Sequence, residues 1–323
     1  MILAVAPTLI VFVLGWCVIG VGMAAGLYDA LFATLGKHYG TNANGAIVQV
    51  TLVAGLCTTI TWPLLGLLIE QWGWRHACLG YGVLLWLCVW PLTKLALPAE
   101  VVNDQPAAPA PTARETASAG SVNSILYWLV AVNVTIGAII MTMISVQLIG
   151  VLQAQGISLA AAISLGTVIG PCQIGVHLFD AIGPKKHPIW SALVSAIMTV
   201  GGIVTLLVRP AWAIVGVILY GCGNGMRSIL RGTLPLVLFD PATYPVVLGR
   251  LALPALVAQA ITPIVGDYVL QMYGSLAILY MLLGLSLVNL LVTFAIKWRI
   301  NVRLYLPERI MRVGRAHTSV GRT

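Results

Sequence analysis

Thr262-Pro263-Ile264-Val265-Gly266-Asp267-Tyr268-Val269-Leu270-Gln271 repeats, 200 positions on, the stretch Trp62-Pro63-Leu64-Leu65-Gly66-Leu67-Leu68-Ile69-Glu70-Gln71. Pro63, Gly66 and Gln71 return as Pro263, Gly266 and Gln271, each time inside an apolar run. Upstream, Gly20-Val21-Gly22-Met23 returns as Gly221-Cys222-Gly223-Asn224 at a spacing of 201. The correspondence therefore covers two consecutive apolar segments and the turn between them. A unit this large, repeated within an apolar chain, is the pattern of a membrane bundle with an internal repeat. Pro63 and Gly66, with Pro263 and Gly266, are read as a helix-packing motif, since small residues let helix backbones approach closely.

With 59% hydrophobic and 8% charged residues among 323, and a mean hydropathy of +0.98, the chain is excluded from the soluble domains, where about a quarter of residues are charged. The apolar runs are too long, and alternate too little, for a membrane β-barrel. Helices remain as the way to satisfy the backbone in lipid, and the fold class is an all-α polytopic membrane protein. The net charge of +8 would suggest nucleic acid in a soluble protein, but seven of the seventeen basic residues lie in the last 27 positions: Lys297, Arg299, Arg303, Arg309, Arg312, Arg315 and Arg322. A cytoplasmic tail beside anionic lipid accounts for them without a nucleic-acid partner. The six cysteines lie in apolar segments with neither paired nor metal-ligand spacing, and no metal or cofactor is expected.

Nine spans are predicted, at 7–36, 45–70, 76–97, 124–152, 158–182, 189–208, 211–238, 245–272 and 275–299, each near or above the ~20 residues that cross the hydrocarbon. With the first running inward, twelve basic residues, including Lys37, Lys94, Arg114, Lys185 and Lys186, fall on the inner side and only Arg75 and Arg209 on the outer. That bias sets the C-terminus in the cytoplasm. Residues 98–123, polar and rich in Ala and Pro, are expected to form a disordered cytoplasmic linker between a first half at 1–97 and a six-helix second half at 124–299, followed by a basic tail at 300–323. The repeat pairs the second helix with the eighth, so the first half is expected to lack its own first three helices, about 76 residues before Met1.

Charged and amide groups inside the spans are the candidate substrate or proton pathway: Asp29, Asn133, Gln147, Asn224, Arg227 and Arg231. Arg227 and Arg231 are four apart and share a helix face. Arg227 falls ~3 Å from the centre of its span, where an Arg costs roughly 2.5–3.5 kcal/mol and should face a cavity or a carboxylate. Arg231, ~9 Å from the centre, is also placed to snorkel. Asp29 stands at the repeat position of Leu230; a proton pathway fits this acidic-against-basic asymmetry, and so does a static interhelical ion pair. The amides serve equally as polar glue between helices. His177, one turn before Asp180, could titrate near neutrality or simply position the adjoining loop. Nucleophile, base and orienter do not occur together, nor does HExxH or a Walker loop, and an enzyme is not expected.

Two six-helix repeats joined by a polar cytoplasmic linker, with Gly175-Val176-His177-Leu178-Phe179-Asp180-Ala181-Ile182-Gly183-Pro184-Lys185-Lys186 at an inner loop, resemble the major facilitator superfamily. The Asp-x-x-Gly-x-Lys-Lys portion matches that family's loop signature, while Val176 stands where the family has Gly. Its Gly-Pro-x-x-Gly motif is present only as Trp62-Pro63-Leu64-Leu65-Gly66, and the Arg of its fourth helix is absent from 7–36, where Asp29 is the sole charge. The resemblance implies a monomeric secondary transporter of the inner membrane that moves a small solute by alternating access. Protons remain an option as the coupling ion. It further implies a cytoplasmic gate of His177, Asp180, Lys185 and Lys186, with Asp180 paired to Arg227 or Arg231. The family's cavity is lined by the first and fourth helices of each half, so one wall would be missing. The 323 residues alone are then expected to insert without transporting, which leaves a non-transporting sensor or the fragment of a disrupted gene as the alternative.

Overall fold

The computed structural model of the protein describes residues 2–26, 28–39, 43–96, 124–183, 187–240 and 243–319. The expected linker at 98–123, Lys185 and Lys186, and the side chains of Asp29, Pro63 and the tail beyond residue 301 lie outside the described residues. Nine helices run α1 Leu9–Gly26, α2 Tyr28–Tyr39, α3 Ala43–Ala96, α4 Ser124–Ala154, α5 Leu159–Thr167, α6 Ile169–Ile182, α7 Pro188–Val208, α8 Ala213–Leu238 and α9 Tyr244–Ser319, with no strand among the described residues. Among the described residues five stretches are long and apolar enough to cross a membrane: Ile125–Ala154, Leu159–Ile182, Pro188–Val208, Pro210–Leu238 and Tyr244–Asn301. The protein is a helical membrane protein.

The last of them cannot be one crossing. Its 58 residues would extend about 87 Å as a single helix, nearly three times the hydrocarbon thickness. Gly274 divides it, with φ 78° and ψ 178°, a conformation open in practice only to glycine. Gly73 divides α3 in the same way, with φ 74° and ψ 163°. These breaks stand 201 positions apart, the spacing found for Gly20 and Gly221.

Two predicted spans are divided, the second still forming one stretch long enough to cross, Leu159–Ile182. Within 7–36 the described residues fall into two helices, α1 and α2. The helix at 158–182 is interrupted at Val168 between α5 and α6. Pro171 explains the interruption, since it has no N–H to donate to the carbonyl of Thr167 four residues earlier.

α4 packs chiefly along α9, α7 along α8, and α6 against both α3 and α8. At one end of the bundle Gln155 Nε2 donates to the Leu206 carbonyl at 3.0 Å. At the other, Lys297 Nζ lies 3.6 Å above the Trp190 ring. These two ties hold α4, α7 and α9 in an up-and-down arrangement. One apolar cluster, around Ile140, Leu152, Ile203 and Leu279, fills the first end. A second, around Leu126, Ile189, Leu234 and Leu251, fills the other. A third joins the halves, with Phe32 and Ile47 of the first half packed on Leu236, Tyr244 and Leu248 of the second.

Candidate functional site

α8 is the helix around which the bundle closes, and its glycines let it do so. A Cβ at Gly223 would stand 2.8 Å from the Ser195 carbonyl oxygen of α7, and one at Gly225 would stand 2.8 Å from Cα of Gln173 on α6. Small residues on two faces bring α6 and α7 against α8 at backbone distance. What remains between the two end clusters is a cavity of about 560 Å³ at mid-span, lined from Tyr28, Ala54 and Gly55 of the first half and from all six helices of the second. Its size is that of a small-molecule site.

Arg227 and Asn224 both line this cavity. Arg227 Nη2 donates to Asn224 Oδ1 at 2.9 Å, one of its five N–H groups. The guanidinium lies across α4 at Gly137, where a Cβ would stand 2.5 Å from Nη1. Arg231, one turn on, also lines the cavity. No Asp or Glu does so among the described residues.

Asn133 reaches the cavity wall, but its amide is engaged: Nδ2 donates to Asn289 Oδ1 at 2.6 Å and to Thr293 Oγ1 at 2.9 Å. It joins α4 to α9 as polar glue. Gln147 is not among the lining residues. It is buried between α4 and α9, where a Cβ on Gly266 would stand 3.2 Å from its Nε2. The helical period carries position 147 away from the wall that Asn133, Gly137 and Met141 share with Ile144 and Leu148.

His177 is 1% exposed, and it joins three helices. Its Nδ1 lies 2.9 Å from the Thr51 carbonyl of α3, and its Nε2 lies 3.0 Å from the Gly225 carbonyl and 2.9 Å from Ser228 Oγ of α8. Nδ1 donates to the Thr51 carbonyl, and Ser228 Oγ donates to the Gly225 carbonyl at 2.7 Å. The bond to Thr51 ties the first half to the second.

Asp180 is exposed, three residues beyond His177 on α6, and forms no ion pair with Arg227 among the described residues. The imidazole occupies the face of α6 turned to α8. Of the packing motif, Gly266 is buried and Pro263 half-buried, whereas Gly66 is exposed.

Sequence reasoning passed over Asn289 and Thr293, although their spacing of four in an otherwise apolar run marks a polar helix face. It also passed over Pro171 and Pro235, and read Pro263 only as part of a packing motif. Pro171, Pro235 and Pro263 cannot donate to the carbonyls of Thr167, Arg231 and Gln259, and all three of those residues line the cavity. No family model matches the chain, and no curated protein is significantly similar to it.

Proposed function

We propose that the cavity is the solute site of a secondary transporter of the major facilitator type, which exposes it alternately to the two sides of an inner (plasma) membrane with the C-terminus in the cytoplasm. A single observation supports this reading: a mid-span cavity of about 560 Å³ lies where the two halves meet and carries Arg227 and Asn224 inside otherwise apolar helices. Polar groups at membrane depth are costly and persist where they line a pathway. The joint through His177 is a contact that two rocking halves would make and break. A coupling proton would require Asp29, which stands on α2, a helix packed against α8 and α9.

Proteoliposomes test the proposal. Counterflow of a labelled solute by the purified protein, abolished by Arg227→Ala, is the expected result. Absence of flux from the folded protein, across a panel of neutral, anionic and cationic solutes, leaves the sensor in place of the transporter.

A further inference from the structure

Among the described residues the cavity is one-sided in charge: its walls bring Arg227 and Arg231 but no carboxylate. Arg231 has a contact of its own, whereas Arg227 spends one N–H on Asn224. The remaining donors lie at the wall of a cavity flanked by apolar helices. A guanidinium removed from bulk water attracts an anion strongly, and its planar fork matches the two oxygens of a carboxylate. Gly137 makes room for this placement, because a Cβ there would stand 2.5 Å from Nη1 of Arg227.

Part of the wall is apolar, with Val134, Met141, Ile144, Leu148 and Leu230 beside polar groups such as Gln173, Ser195 and Thr199. The apolar side chains would desolvate an apolar body favourably. We propose, resting on the transporter reading above, that the solute is a small monocarboxylate, its carboxylate held by Arg227 and its apolar portion by these side chains. Asn224 holds the guanidinium through Oδ1. Inorganic phosphate has no apolar body and gains nothing from these side chains.

Binding to the purified protein in detergent, read by titration calorimetry, tests this directly. The probes are acetate, lactate and benzoate, each against its own amide, with inorganic phosphate alongside. At least one acid is expected to bind ten-fold or more tightly than its amide and than phosphate. Arg227→Gln should abolish that preference, and Arg227→Lys should retain part of it, since the charge stays while the fork is lost. Equal binding of every acid and its amide, tighter binding of phosphate, or a preference that survives Arg227→Gln would overturn the proposal. Should Arg227→Gln fail to fold, the comparison of acid with amide on the unaltered protein decides alone. The assay involves no gradient, so an acid preference without flux in proteoliposomes removes the transporter and leaves the anion site. Flux of neutral solutes without an acid preference does the reverse.

Discussion

Three glycines before the linker and their three counterparts after it differ in what surrounds them. A Cβ on Gly20, Gly22 or Gly66 would meet nothing within 4 Å. On Gly221 it would stand 3.0 Å from Cβ of Cys172, on Gly223 2.8 Å from the Ser195 carbonyl oxygen, and on Gly266 2.6 Å from Sδ of Met143. The turn glycines behave otherwise, since Gly73 and Gly274 share a positive φ and neither has a neighbour within 4 Å. A repeated sequence thus carries two kinds of information. Backbone conformation is local and comes out alike in both halves. Close approach needs a helix across the way, and α4, α6 and α7 supply one only to the second half.

The strongest way to break this comparison is to fill the packed site and its counterpart. Gly223→Val drives a branched side chain into the α7 backbone and is expected to cost about 3 kcal/mol, the upper end of the overpacking range. Gly22→Val is expected to stay within about 0.5 kcal/mol. Thermal unfolding in detergent, followed by tryptophan fluorescence, measures both; equal losses would mean that the first-half glycine is packed after all.

Next come the two breaks. Gly73→Ala and Gly274→Ala each force a Cβ into a region reserved for glycine, at a cost of about 2 kcal/mol. The same melting curves should show matched losses, and a silent Gly73→Ala would end the equivalence of the hairpins. The smallest effect is expected at the packing motif. Gly266→Ala is opposed by Met143, a flexible side chain that can withdraw, and should cost about 1 kcal/mol. Gly66→Ala should be neutral, or stabilise by as much as about 1 kcal/mol through helix propensity. A larger loss at Gly66 than at Gly266 contradicts the assignment of either environment.

The sequence made the second half legible because each of its crossings is an apolar run closed by a turn, as at Gly156 and Gly274. Arg227 and Asn224 were legible as well, since a charge or an amide in such a run stands out. Asn133 and Gln147 were not separable, as both are amides on α4 and only the positions of α8 and α9 decide which one reaches the cavity. His177 was visible as a titratable group, but its joint to Thr51 depends on a contact across 126 positions that no local pattern encodes. Asp180 does not pair with Arg227 for a related reason. Proximity along α6 placed it near α8, but the rotation of the helix gave that face to the imidazole.

The prolines at 171, 235 and 263 give the cavity a mechanical character. An α-helix resists bending through its ladder of hydrogen bonds, and each proline removes one rung. The rungs removed are those of Thr167, Arg231 and Gln259, on three different elements, all at the cavity wall. The bundle is therefore stiff at its two apolar ends and compliant in its middle, so strain applied at either end is absorbed as a change in the shape of the cavity.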